Sequence, residues 1–286
     1  MVELILGTAT FGTGYGVANQ GKILDDKSIR EIVETAQELG IRNFDTAPSY
    51  GEAESKLGKF LNDGLSSKVS SKISKENSAS ADLMLANVKN TLERTKVSKL
   101  ENLYLHDPEA LSGPAASETI AGLEEIVSLD LVERVGVSVY SLDSLLRAKQ
   151  LFPQLSVFQV PENICDRRLF KSAELMNLAN EGNHFIVRSI FMQGLLLMPL
   201  DEIPSGLNGA RDALSGLKAF AKSNNNSVLD LCLGYGQIIP WASGLIIGSA
   251  SAQQLRQIIE SRVQLPEEWE SKIKRLPDSI LDPRKW

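Results

Sequence analysis

Histidine and cysteine are scarce in this chain: 286 residues carry two of each. Two histidines, His106 and His184, cannot furnish a His-rich metal site, so a metal hydrolase is the least favoured class and no bound metal is expected. The cysteines, Cys165 and Cys232, lie in apolar surroundings without CxxC spacing. That excludes a disulfide framework and suits packing residues in a reducing cytoplasm. No apolar run approaches the roughly 18 residues of a membrane span. The start, MVELILGTATFG, lacks the basic region and long apolar stretch of a signal peptide. Positive charge is not in excess either: the formal net charge is −6, which argues against a nucleic-acid surface. The expectation is a cytoplasmic, soluble protein with small-molecule partners, no nucleic acid and no membrane, either a monomer or a weak homo-oligomer.

What the chain does have is alternation. Hydrophobic residues make up 43% of it, enough for one large core. Short, often β-branched apolar runs fall at 3–7, 41–45, 69–73, 102–106, 134–138, 156–160, 185–190 and 244–248. Stretches of helical period separate them. In DDKSIREIVETAQELG, for example, Ile29, Ile32, Val33, Ala36 and Leu39 share one face and Gly40 stops the helix. Eight strands alternating with helices, and no linker, predict a closed (β/α)8 TIM barrel spanning residues 1–286 as one domain, in preference to an open doubly wound sheet. Residues 191–210 are too irregular for a helix and read as an active-site loop after the seventh strand. Ser227 caps an additional helix before the eighth.

Barrel strands deliver their active-site residues at their C-terminal ends. Asp45, Lys72 and His106 close the second, third and fourth strands, and Tyr50 follows Asp45 after a short turn. A free tyrosine has a pKa of about 10, too high for efficient proton exchange near neutrality. A nearby ammonium favours the phenolate, so Lys72 is expected to tune Tyr50. Asp45 then balances the lysine, and His106 orients a carbonyl oxygen. Such a set donates a proton to a carbonyl while another species attacks the carbon.

The stretch FDTAPSYGEAESKLG, with GTATFG, GVS, QVPEN, RSIFMQGLL and IIGSASAQQL at later or earlier strand exits, resembles the aldo-keto reductase superfamily over nearly the whole chain. The resemblance implies a catalytic set of Asp45, Tyr50, Lys72 and His106, and a nicotinamide cofactor, NADPH with NADH as the alternative, lying across the barrel mouth. It implies that Thr8, Ala9, Thr10 and Asp45 border that cofactor and that Ser138 and Gln159 hold its carboxamide. Ser189, Ile190, Phe191, Gln193 and Gly194 would line the pyrophosphate, and Gly248, Ser249, Ser251 and Gln254 the adenosine half. The substrate implied is a small carbonyl compound, sugar-like or acidic.

Several positions depart from the family pattern. Strand 1 starts at about Glu3, without the usual preceding hairpin, so another segment must cover the barrel bottom. Val139 stands where an asparagine is common, and Ile258 replaces another. Ser249 and Ala250 occupy places where basic residues commonly grip a 2′-phosphate, leaving Arg256 as the nearby cation. Arg188 stands where an aromatic commonly stacks on nicotinamide. It can stack on the ring, clamp a carboxylate or phosphate, or form a buried ion pair. The glycines of GTGYG (12–16) open no helix directly after a strand, which excludes a Rossmann fingerprint and marks a loop beside the substrate. His184 is expected on the opposite, structural end. Two other functions stay open: a non-catalytic cofactor-binding sensor, and a lyase forming a Schiff base on Lys72.

Overall fold

A strand places alternate side chains on opposite faces, so a sheet apolar on both faces needs a packed layer on each. The computed structural model describes residues 2–19, 21–61, 65–261 and 265–286, and it meets this need by closing the sheet on itself. The strands are β1 (Glu3–Gly7), β2 (Asn43–Asp45), β3 (Lys68–Ile73), β4 (Leu100–Leu105), β5 (Val132–Ser138), β6 (Val157–Pro161), β7 (His184–Arg188) and β8 (Gly244–Gly248). They pair in chain order, all parallel, and β8 returns to β1. The expected (β/α)8 barrel is the fold. Its helices are α1 (Ala9–Gly12), α2 (Asp26–Glu38), α3 (Ala53–Phe60), α4 (Ala81–Thr95), α5 (Ala116–Ser128), α6 (Leu142–Leu151), α7 (Ala173–Asn180), α8 (Arg211–Ser223), α9 (Val228–Gln237), α10 (Ala252–Glu260) and α11 (Trp269–Lys272). Among the described residues, no helix is long and apolar enough to cross a membrane.

Outward-facing strand residues such as Leu6, Phe44, Leu103, Val137, Phe158, Val187 and Ile247 join the helices in the main core. The inward set is stacked in three chemically distinct levels. The middle level is a separate apolar cluster of Ile5, Tyr104, Val157 and Ile186, with Ile246 against it. Below it, side chains fill the barrel bottom themselves. Asn43 donates to Glu3 (2.5 Å), Asn102 to the Ser70 hydroxyl (2.9 Å), and Arg134 to Glu101 (2.8 Å) and the Asn102 carbonyl (3.2 Å). His184 opens β7 at this end, where burial and then Arg134 push its pKa down. Gln159 and Arg188 lie two residues above Val157 and Ile186 of the apolar level, and the same inward period brings Asp45, Lys72 and Ser138 to the strand ends beside them.

Connections at the top carry the irregularity. The loop expected at 191–210 is a series of 3-10 turns, Met192–Leu197, Leu200–Glu202 and Ser205–Ala210. The expected extra helix is α9, opened by a reciprocal cap in which Asp230 N–H donates to Ser227 and Ser227 N–H to Asp230. Glu54 lies in the first turn of α3. It is buried and accepts from Ser71 (2.8 Å), Thr91 (3.1 Å) and Arg94 (3.3 Å), tying α3 to β3 and α4. Both cysteines are fully buried and unpaired.

Behind β6, Glu162 is fully buried and accepts from the Leu169 N–H (3.0 Å) and from the hydroxyl of Tyr235, whose ring packs against Phe170 and Trp269. Burial, partly offset by the Tyr235 bond, raises its carboxyl to about 8. The folded protein therefore holds this proton more tightly than the unfolded chain. The stabilisation is complete below about 4.5, the unfolded value, and is lost as pH rises through about 8. Glu162→Gln can still accept from the Leu169 N–H and can donate its amide N–H to the Tyr235 oxygen, and it has no proton to lose. Thermal melts between about pH 5 and about pH 8.5 should therefore show a flatter decline in the variant, and an unchanged slope would refute this.

Candidate active site

Three consecutive strands and one turn build the centre of the site. The Lys72 ammonium donates to Asp45 Oδ1 at 2.6 Å and to the Thr46 carbonyl at 2.9 Å. Both ionised groups are buried, Lys72 2% and Asp45 4% exposed, so neither is screened by water. The other carboxylate oxygen of Asp45 accepts from Gln159 Nε2 at 2.8 Å, and Gln159 in turn accepts from the Ser138 hydroxyl at 3.4 Å. Burial alone would lower the Lys72 pKa, but the Asp45 and Tyr50 oxygens outweigh it and hold the lysine above its usual value. The ammonium is therefore permanent at physiological pH.

Tyr50 arrives on a short turn, Pro48–Tyr50, which lifts its ring over Lys72, with Nζ 5.1 Å from the ring centroid. Proline in the first position of that turn presets its backbone. His106 lies one residue beyond β4, its N–H bonded to the Ile73 carbonyl (2.9 Å) and its ring exposed at the mouth. Partial burial, then the Lys72 and Arg188 cations, push its pKa below the usual histidine value. It is thus neutral near pH 7, with one donor and one acceptor nitrogen.

A cavity of about 520 Å³ runs from Asp45, Tyr50 and Gln159 on the barrel axis to Gln254, Gln257 and Ile258 on α10. That size suits a small-molecule or cofactor site. Of the residues expected around a cofactor, Thr8, Ala9, Thr10, Asp45, Gln159, Arg188, Ser189, Ile190, Phe191, Gln193, Gly194, Gly248, Ser249 and Gln254 are on its wall. Ser138 and Ser251 sit behind it, Ser138 on Gln159 and Ser251 as the cap of α10. Lys72 and His106 are also off the wall, Lys72 beneath Asp45 and Tyr50.

The wall after β7 is unusual in its backbone. Ser189, Met192, Gln193 and Gly194 all have left-handed φ values, of 63°, 50°, 55° and 89°. Three of these are not glycine, a strained arrangement of the kind concentrated at functional sites. The turn is clasped by the loop at 12–19: a Cβ on Gly194 would lie 2.5 Å from the Ala18 Cβ. The loop's Tyr15 also lines the cavity. Tyr15 is 44% exposed overall, yet its hydroxyl end is enclosed, and burial followed by the nearby Tyr50 raises its pKa to about 12.

The polar lining of Thr10, Asn19, Gln193, Ser249, Gln254 and Gln257, with the N-terminus of α10, suits a long ligand bearing phosphates and sugar hydroxyls. These residues fit a nicotinamide dinucleotide. One expected contributor is displaced. Arg256 faces α2, where it donates to Glu38 (2.8 Å), because the capped register of α10 turns it away from the cavity. Of the readings for Arg188, the buried ion pair is not formed: no described carboxylate pairs with it, and its guanidinium rests on Tyr140. Sequence reasoning did not single out Tyr15, Tyr140, Glu202, Leu229 or Arg284. Tyr15 was visible as the aromatic of GTGYG, whereas the meeting of Tyr140 with Arg284 has no local signal.

Residues 3–277 match the family model described as the aldo/keto reductase family. Among curated proteins, the chain is 28% identical over 177 residues to a D-threo-aldose 1-dehydrogenase from Pseudomonas sp, covering 50% of this chain and 54% of that one. It is 24% identical over 282 residues to an L-glyceraldehyde 3-phosphate reductase from Escherichia coli K12, covering 85% and 81%. Among solved structures, a thermostable aldo-keto reductase crystallised with the inhibitor epalrestat is 22% identical, covers 94% of this chain and 92% of its own, and superposes with a TM-score of 0.73. That similarity is one of fold.

Independently of any reaction, Asp45→Asn should leave the Lys72 charge buried without its counter-ion. A loss of about 3–5 kcal/mol is expected in chemical denaturation. Adding Lys72→Met should recover much of it, because the orphaned charge is removed with its partner. A double variant no more stable than Asp45→Asn would contradict this.

Proposed function

The chain belongs to the aldo/keto reductase family, and from that premise we propose that it is a cytoplasmic enzyme reducing a polar aldehyde or ketone, sugar-like or acidic, to the alcohol. The observation that carries the reading is the buried Lys72–Asp45 pair directly beneath the Tyr50 ring, on the wall of a cavity sized for cofactor and substrate. A reduced nicotinamide dinucleotide, the cofactor class the family generally uses, would supply the hydride when bound in this cavity. Tyr50 gives its hydroxyl proton to the carbonyl oxygen as the hydride reaches the carbon. Carbon–hydrogen and oxygen–hydrogen bonds form, the carbonyl π bond breaks, and the phenolate left behind regains its proton from solvent.

Each neighbour of Tyr50 has a distinct part in this scheme. Lys72 supplies a fixed positive charge that stabilises the phenolate without reorganisation. Asp45 makes that charge affordable in a dry site and also orients Gln159. His106, neutral, would hydrogen-bond the carbonyl oxygen. Ser189, Gln193, Ser249 and Gln254 hold the dinucleotide. The printed names of the relatives, an aldose dehydrogenase and a sugar-phosphate reductase, support a sugar-like carbonyl.

A Schiff base on Lys72 requires a neutral amine, and the charge held there by Asp45 disfavours it. We propose NADPH as the cofactor, but with a narrow margin over NADH. With Arg256 engaged by Glu38, recognition of a 2′-phosphate falls to uncharged donors.

Tyr50→Phe should keep dinucleotide affinity and lose about 10²–10⁴-fold in turnover of a carbonyl panel. Near-normal turnover would sink the tyrosine mechanism, and failure of wild type on every carbonyl would favour a sensor. Fluorescence titrations should place NADPH ahead of NADH by less than about tenfold. Tighter NADH binding would reverse the assignment.

A further inference from the structure

Arg188 ends β7 and is the one cationic side chain on the cavity wall among the described residues. Charges so placed are ordinarily matched by a counter-charge. No described carboxylate pairs with Arg188. Its partners are all neutral: the Ser189 hydroxyl (3.3 Å), the Val139 carbonyl (3.1 Å) and the Tyr140 ring, with Cζ 4.1 Å from the centroid.

The neighbouring charges are already matched. Lys72 is taken by Asp45, and Asp107 pairs with Lys75 at 3.2 Å. A second guanidinium, Arg284 from the C-terminal turn, rests against the same Tyr140 ring at 3.8 Å. Its charge, however, is answered by Asp282, which accepts from Nε and Nη2 at 2.8 Å each. Glu202, the other acid on the wall besides Asp45, sits exposed on the Leu200–Glu202 turn. Arg188 therefore leaves an unmatched positive charge beside Tyr50 and Tyr15.

A guanidinium has five N–H donors. The two hydrogen bonds leave three, and stacking on Tyr140 restricts the plane in which they point. That is a prepared fork for a planar carboxylate or a phosphate. We propose that Arg188, seated on Tyr140 and braced by Arg284, is an anion subsite, and that the substrate is a carbonyl compound carrying a carboxylate or a phosphate. This rests on the carbonyl-reducing reading above and narrows its substrate class. Arg188 acts on specificity, Tyr140 and Arg284 as positioning residues behind it.

The test uses matched carbonyls with the reduced cofactor: butanal against succinic semialdehyde, and glyceraldehyde against its 3-phosphate. In each pair the molecules share a reacting end and differ in charge, so the pair with the larger ratio identifies the anion. The favoured anionic substrate should exceed its neutral partner by at least about tenfold in kcat/KM, mostly through KM. Arg188→Met should collapse that ratio towards one, Arg188→Lys should keep part of it, and Arg284→Ala should lower it without abolishing it. A ratio near one in wild type for both pairs, or a ratio surviving in Arg188→Met, overturns the proposal. So does a loss of dinucleotide affinity in Arg188→Met with the ratio intact, which would assign the arginine to the cofactor. If no carbonyl is reduced, the carbonyl-reducing reading fails, and the subsite is tested alone by titrating succinate and inorganic phosphate into the dinucleotide-loaded protein. Binding lost in Arg188→Met supports it; binding that is absent or independent of Arg188 overturns it.

Discussion

A lysine and an aspartate buried together at 2.6 Å set the terms for everything above the barrel's apolar level. A buried ammonium is not tolerable there alone, and the Asp45 carboxylate oxygen helps to hold Lys72 charged. The remaining oxygen of Asp45 is spent on Gln159, which carries the constraint from β2 and β3 across the barrel to β6. One electrostatic requirement thus aligns the exits of three strands and fixes the charge under Tyr50. The price in desolvation is large, which is reason to regard the pair as serving chemistry rather than stability.

Around that centre the mouth is built from backbone as much as from side chains. The left-handed run at Ser189–Gly194 turns the chain sharply as it leaves β7, and the loop at 12–19 packs so closely against it that Gly194 has no space for a side chain. Two segments distant in sequence therefore depend on each other for their shape. The result is an elongated polar groove meeting the charged centre at Arg188. Positive charge is concentrated there, with Lys72 and Arg188, while the described α10 residues lining the other end, Gln254, Gln257 and Ile258, are uncharged. That polarity distinguishes the two ends of any ligand.

Much of this was legible in local pattern. Short, often β-branched apolar runs located all eight strands, because a barrel buries both faces of each strand and leaves an apolar signature. Asp45, Lys72 and His106 stood out because they interrupt that signature where strands end. The limits were equally physical. Nothing local announces that Ser71, Thr91 and Arg94 will enclose Glu54. Arg256 looked available to a phosphate, since linear sequence does not say which face of α10 meets α2 and Glu38. What fills the barrel bottom was also invisible locally: Asn43, Asn102, Arg134 and their partners meet there from separate strands.

By itself, then, the sequence determined the barrel, its strand order and the identity of the protonatable groups at its exits. These follow from short-range regularities: alternation, helix period, caps such as Ser227, and a proline-started turn before Tyr50. Tertiary structure alone decided which charges are matched and which are left over. Among the described residues no carboxylate pairs with Arg188, Arg284 returns from the far end of the chain to share Tyr140, and Arg256 is committed elsewhere. Ion pairing depends on distances of a few ångströms between residues far apart in sequence, and only the folded chain sets those distances.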